Sequence, residues 1–195
     1  MNEALIESIK QQALSDNVPI MEDEGLAFIC QFLKEHNVKS LLEIGTAVGY
    51  SAIRFSKYLP DNGRIDTIER DSNMIVEARI NIKDLNLEDK INIIEGDAVE
   101  VLPTLNKEYD VIFIDAAKGK YPFFLKEAIR LLSEKGVIIA DNILYKGYTL
   151  SDYNKHKQRT AVRGLRTYLK ELEENKNFKT ELLEVGDGLT ITRRK

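Results

Sequence analysis

Tryptophan is absent from the 195 residues and cysteine occurs once. No apolar run approaches the roughly 20 residues that a bilayer span needs, so no membrane-spanning helix and no membrane partner are expected. The lone cysteine, Cys30, rules out an internal disulfide framework and fits a reducing compartment. Its neighbours Phe28, Ile29, Phe32 and Leu33 make it read as a small buried hydrophobe. The opening Met1-Asn2-Glu3-Ala4-Leu5 has neither the basic nor the apolar segment of a secretory leader, and a cytoplasmic location is expected. Positive charge is not in excess either. Lys and Arg number 28 against 32 Asp and Glu, a net charge of −4, which gives no global attraction to nucleic acid. Repeats, low-complexity tracts and linkers are also missing, and one domain over residues 1–195 is expected.

What is present is an alternation of short apolar runs with helical patterns. Helices are expected over residues 2–14, with Leu5, Ile6, Ile9 and Leu14 on one face, and over 22–35, 51–55, 73–85, 99–105, 121–132 and 158–174. Strands are expected near 41–44, 64–69, 91–95, 110–115, 136–140, 178–185 and 188–193, the last two joined by Gly186-Asp187-Gly188 as a hairpin turn. Such alternation predicts an α/β fold built on a mostly parallel sheet covered by helices.

The chain is organised around Ser40-Leu41-Leu42-Glu43-Ile44-Gly45-Thr46-Ala47-Val48-Gly49-Tyr50-Ser51, a buried strand, a glycine turn and a helix start. This is the nucleotide-cradling unit of open α/β sheets. The middle glycine of a dinucleotide fingerprint is missing, which counts against an NAD-dependent oxidoreductase. The spacing Glu43-x-Gly45-x-x-x-Gly49 instead resembles motif I of S-adenosylmethionine-dependent methyltransferases. Three successive strands end in acids at one edge, at Glu43, Glu69 and Glu95-Gly96-Asp97. Ligands of doubly wound sheets bind at that edge. Glu69 stands where an acid holds ribose hydroxyls, and Asp97 is placed to meet an adenine amino group.

A second group comprises Asp115, Lys118, Asp141 and Asn142. The strands ahead of Asp115 and Asp141 are expected to be neighbours, which directs both carboxylates and the amide into one crevice. Two carboxylates and an amide oxygen are hard ligands suited to Mg²⁺. Lys118, three residues beyond Asp115, is close enough to act there as a base.

Ile114-Asp115-Ala116-Ala117-Lys118, Ala140-Asp141-Asn142 and Val185-Gly186-Asp187-Gly188-Leu189 resemble the metal-dependent O-methyltransferases of catechol and caffeoyl-coenzyme A type. The resemblance runs from about Met21 to the end of the chain. It implies a Rossmann-like seven-stranded sheet with an antiparallel last strand, S-adenosylmethionine as donor, and Mg²⁺ on Asp115, Asp141 and Asn142. It makes Lys118 the base and brings Met21, Glu43, Gly45, Ser51, Glu69, Asp97, Ala98 and Asp115 to the cofactor. By analogy it also suggests a homodimer. Pro19-Ile20-Met21-Glu22, Gly45 to Arg54 and Asp141 to Gly147 look most like the bacterial tRNA 5-hydroxyuridine methyltransferases, which form 5-methoxyuridine at the wobble position.

Catechols and 5-hydroxyuracil both offer two adjacent oxygens, so the site residues do not choose between them. The surface offers a criterion. Between Lys155 and Lys170 there is no acid, and Arg159, Arg163, Arg166 and Lys170 are spaced to share one helical stripe suited to the phosphates of tRNA. Val162, Leu165, Leu169 and Leu172 form the apolar stripe beside it. A stripe of this kind is also what a plain solvated helix face presents, and a catechol-type enzyme remains the rival reading.

Overall fold

The computed structural model describes residues 2–152 and 156–195. Its strands β1 (Ser40–Ile44), β2 (Arg64–Glu69), β3 (Ile91–Glu95), β4 (Tyr109–Ile114), β5 (Leu132–Ala140), β6 (Phe178–Leu183) and β7 (Leu189–Arg194) follow the order β3-β2-β1-β4-β5-β7-β6 in a seven-stranded sheet. The chain divides into two compact units, Met1–Val101 and Leu102–Lys195, each with its own elements.

The first unit holds α1 (Glu3–Ser15), α2 (Asp23–His36), β1 (Ser40–Ile44), α3 (Tyr50–Ser56), β2 (Arg64–Glu69), α4 (Ser72–Asp84), β3 (Ile91–Glu95) and the single turn α5 (Ala98–Val101). β1, β2 and β3 pair in parallel, with Ile44 opposite Ile68 and Glu69 opposite Glu95. Leu41, Leu42 and Ile44 are wholly buried, as a strand covered on both faces requires. The ends of the helices are set by local chemistry. The Asn2 side chain accepts the Leu5 N–H, and the Asp71 side chain accepts those of Asn73 and Met74. Cys30 is buried and its thiol is pushed up to about 11 by that burial, an inert hydrophobe as its neighbours imply.

The second unit contains β4 (Tyr109–Ile114), α6 (Tyr121–Leu131), β5 (Leu132–Ala140), α7 (Arg159–Glu174), β6 (Phe178–Leu183) and β7 (Leu189–Arg194). β4 and β5 are parallel, while β7 runs antiparallel to both β5 and β6. The expected sheet, mostly parallel with an antiparallel C-terminal strand, is therefore the one observed. α7 buries Val162, Gly164, Leu165, Tyr168 and Leu172. The Tyr168 ring meets that of Tyr121 edge-on, centroids 5.6 Å apart, and its hydroxyl bonds Thr190 Oγ1 at 2.8 Å.

Three expectations need correction. The helix expected over 99–105 is α5 followed by a 3₁₀ turn, Leu102–Thr104, because Pro103 has no N–H to continue an α-helix. β5 begins at Leu132, four residues before Gly136. The buried face of α1 is Ile6, Ile9 and Ala13, at helical spacings of three and four. Leu14 falls outside that stripe and is half exposed, at 51%. No helix among the described residues is long and apolar enough to cross a membrane.

The α1 face carries a direct test. Ile9→Ala should cost about 2–4 kcal/mol in urea unfolding, whereas Leu14→Ala should stay within about 0.5 kcal/mol. Equal losses would assign α1 the face expected from sequence.

Candidate active site

In the first unit, the turn after β1 takes left-handed backbone conformations at Gly45, Ala47 and Gly49, with φ of +107°, +46° and +81°. Glycine meets that demand at two of the three positions. A buried polar chain holds the turn. Glu43 is fully buried and its two carboxylate oxygens accept the Ser51 hydroxyl at 2.5 Å and the Thr67 hydroxyl at 2.6 Å. The only hydroxyl hydrogen of Thr67 is thereby used, so Thr46, 2.6 Å away, is the donor in the next link. Glu43 thus presents no surface to a ligand, and it acts on the turn through Ser51 and Thr67.

Glu69 closes the other side of the turn. Its Oε2 accepts the Ala47 N–H, and its Oε1 accepts the N–H groups of Arg70 and Asp71, all at 2.9 Å. Asp97 accepts the Val99 N–H at 2.9 Å and pairs with Arg70 at 3.0 Å, and the Gly96 N–H donates to the Glu69 carbonyl. The ends of β2 and β3 are joined in this way. Gly45, Ser51 and Ala98 lie half-buried beside these acids, and Met21 is buried against Gly25. Thr46 and Thr67 were not anticipated. The available signal for Thr67 was a threonine set between the apolar Ile65 and Ile68 in β2.

In the second unit, the pairing of Ile114 with Ala140 puts Asp115 and Asp141 at adjacent strand ends. The Asp141 N–H donates to the Ile114 carbonyl at 3.0 Å. Tyr121 reinforces the junction, its buried hydroxyl reaching the carbonyls of Asp141 (2.8 Å) and Ile114 (3.3 Å). Lys118 Nζ lies 3.3 Å from Asp115 Oδ1. Asp141 Oδ1 accepts the Asn142 N–H at 2.6 Å, and Asn142 takes a left-handed φ of +54°. Asp115, Lys118 and Asp141 are thus brought together, with Asn142 joined to Asp141 through its backbone N–H.

Burial, and then the charge of Asp115, push the Asp141 carboxyl up to about 7. Asp141 is only 4% exposed, so the two acids repel each other where water screens poorly. Lys118 offsets one negative charge and leaves another. Among the described residues no group of three or more His, Cys, Asp or Glu side chains is placed to hold a metal ion. The set here is two carboxylates and an amide, and its surplus negative charge fits a hard divalent cation.

Gly164 is a further residue that sequence reasoning passed over. A side chain there would collide with the Lys118 carbonyl and come within 2.7 Å of Gly119 Cα, so glycine lets α7 pack directly on the lysine turn. A glycine inside a helix was the available signal, since it costs stability unless packing requires it. Along the outer face of α7, Arg159, Arg163, Arg166 and Lys170 are exposed, and Lys170 lies 3.8 Å from Glu174. Arg166 alone of these donates to the carbonyls of Tyr148, Thr149 and Ser151. Lys155 lies outside the described residues.

A glycine turn with acid-ended parallel strands, and a paired-aspartate cluster at two further strand ends, define an α/β enzyme of nucleoside-binding type. The comparisons place it more closely. The O-methyltransferase family model matches residues 1–195, and the chain belongs to that family. It is 34% identical to a catechol O-methyltransferase of Niastella koreensis, over 85% of this chain and 75% of that protein. It is 30% identical to a caffeoyl-CoA O-methyltransferase of Populus kitakamiensis, over 91% and 78%. A crystal structure of an O-methyltransferase from Bacillus cereus in complex with SAH superposes with a TM-score of 0.89 at 26% identity, covering all of this chain and 92% of that one.

The pressure on Asp141 has a measurable sign. Its carboxyl titrates near 7 when folded and near 3.8 when unfolded, so the favourable contribution is complete below about pH 4 and is lost as pH rises through 7. Asp141→Asn should therefore stabilise the metal-free protein at pH 8, by at most about 4 kcal/mol, and by little at pH 4. A destabilised variant at pH 8 would mean that the carboxylate is already neutralised.

Proposed function

We propose that this O-methyltransferase uses S-adenosylmethionine and Mg²⁺ to convert 5-hydroxyuridine to 5-methoxyuridine at the wobble position of tRNA, acting in the cytoplasm as a homodimer. The observation that carries the metal-assisted methyl transfer in this reading is the cluster of Asp115, Asp141, Asn142 and Lys118, with its surplus negative charge and a buried carboxyl pushed up to about 7. The SAH held by the Bacillus cereus relative supports a sulfonium nucleoside donor.

In the proposed reaction the substrate oxygen attacks the donor methyl carbon in line with the sulfonium. The C–O bond forms, the C–S bond breaks with its electron pair passing to sulfur, and S-adenosylhomocysteine leaves. Asp115, Asp141 and Asn142 are the residues that would hold Mg²⁺, which supplies positive charge to acidify a hydroxyl and a template for two adjacent oxygens. With a dication in place to balance the carboxylates, Lys118 Nζ, beside Asp115, would act as the neutral amine and take the hydroxyl proton. Met21, Glu69, Asp97 and Ala98 hold the nucleoside and Gly45 admits it closely. Glu43 and Ser51 keep the turn in shape.

The basic face of α7, led by Arg159 and Arg163, supports tRNA as the partner because it concentrates positive charge on a protein of net charge −4. The names of the relatives at 34% and 30% identity favour a second reading, a catechol-type small-molecule enzyme with the same chemistry.

A methylation assay with labelled donor, on 5-hydroxyuridine-containing tRNA and on a catechol, with and without chelator, separates the two. The tRNA reading predicts chelator-sensitive labelling of tRNA whose log affinity falls less steeply with log salt after Arg159→Ala and Arg163→Ala, by about one unit per residue. Turnover confined to the catechol, insensitive to those changes, would establish the rival. Lys118→Ala should lower turnover at least tenfold, most at low pH where the hydroxyl most needs a base. Parent-like rates at every pH would leave Lys118 a bystander.

A further inference from the structure

The segment that follows Asn142 is built at a cost. Tyr145, Lys146 and Gly147 take left-handed backbone conformations in succession, φ +46°, +58° and +77°, and Asn142 itself is at +54°. Bulky non-glycine residues rarely adopt that region, and such conformations persist where surrounding structure imposes them. Thr149 adds to the cost. It is 3% exposed, and its hydroxyl has no hydrogen-bond partner among the described residues.

Two supports hold the segment. The turn ahead of β7 takes the inner side, where the N–H groups of Ile143 and Leu144 donate to the carbonyls of Gly188 and Asp187 at 2.9 Å. The Lys146 N–H donates to Asp187 Oδ1 at 2.7 Å. Helix α7 takes the far end through one side chain. Arg166 Nε donates to the Thr149 carbonyl at 3.0 Å, and Nη2 to those of Tyr148 (3.2 Å) and Ser151. A planar fork of N–H donors can span three carbonyls at once, which a lysine ammonium on its flexible stem cannot do with the same fixed geometry. Two residues earlier on the same helix, Gly164 lies against the Lys118 carbonyl.

We propose that Arg166 is a positioning residue. It fixes the segment from Asn142 to Ser151 in the shape the reaction needs, and it is not a phosphate contact of the basic face. α7 then sets two parts of the site from one rigid element, the lysine turn through Gly164 and the post-Asn142 segment through Arg166. Its outward charges Arg159 and Arg163 are left for the nucleic acid. The inference rests on the O-methyltransferase reading for what the segment serves, though the clamp itself is a property of the fold.

The test compares Arg166→Ala, Arg166→Lys and Arg159→Ala in steady-state methylation, in the salt dependence of tRNA binding and in limited trypsinolysis after the exposed Lys146. Arg166→Ala should lower kcat at least tenfold, with KM for tRNA and the salt slope within error of the parent, and should speed cleavage after Lys146 at least tenfold. Arg166→Lys should recover part of kcat and part of the protection. Arg159→Ala should instead raise KM and flatten the salt slope by about one unit. Parent-like kcat and cleavage in Arg166→Ala, with a salt slope lowered by about one, would overturn the proposal and return Arg166 to the phosphate face. Should Arg166→Ala fail to fold, judged by its binding of S-adenosylhomocysteine, Arg166→Lys and Arg166→Gln carry the same comparison. A parent that does not methylate tRNA would defeat the substrate reading alone. The kcat comparison then moves to the catechol, and cleavage after Lys146 decides the clamp without any substrate.

Discussion

Two carboxylates at the ends of paired parallel strands, one buried and one partly open to solvent, are the constraint on which the second unit turns. The β4–β5 register brings Asp115 and Asp141 together, and the Tyr121 hydroxyl keeps the strand ends from parting. Such an arrangement is unfavourable for folding by itself, since a buried charge beside a like charge lowers stability. The surrounding elements are disposed to tolerate it. Lys118 offsets one charge, the Asn142 N–H bonds Asp141, and α7 packs on the lysine turn through a glycine.

The first unit treats its acids in the opposite way. Glu43 is more deeply buried than Asp115 but is satisfied, with a hydroxyl on each oxygen. Glu69 accepts three backbone N–H groups. Carboxylates supplied with donors in this manner stiffen a turn. Asp141, whose carboxyl is pushed up to about 7 by burial and a like charge, accepts a single backbone N–H among the described residues and stays under electrostatic pressure. The distinction between scaffold and reactive acid is one of hydrogen-bond supply, and it is drawn within a single fold.

Much of this was legible in the sequence, and the reasons are physical. The apolar runs of β1 and β4 and the turn at Gly45–Gly49 follow from local periodicity and backbone freedom, so their placement needed no tertiary information. Asp115, Lys118, Asp141 and Asn142 could be grouped because parallel strands align their carboxyl ends. What local pattern could not supply was the use made of each group. Glu43 was expected at the cofactor, yet its carboxylate is closed off by Ser51 and Thr67. Arg166 shares the spacing of the basic stripe, but its guanidinium reaches back to three carbonyls from residues 148–151. Leu14 sits one position from the buried stripe of α1 and is exposed. Each of these depends on which residues distant in sequence arrive nearby, and that information resides in the packing.

The central claim is that the Asp115–Asp141–Asn142 cluster is a divalent-cation site. It is tested most directly by a crystal structure of the protein grown with S-adenosylhomocysteine and Mn²⁺ in place of Mg²⁺, read by anomalous scattering. The account predicts one strong peak within ligand distance, about 2.0–2.3 Å, of side-chain oxygens from all three residues. Full cofactor occupancy with no peak at these residues, or a peak held elsewhere, would contradict it.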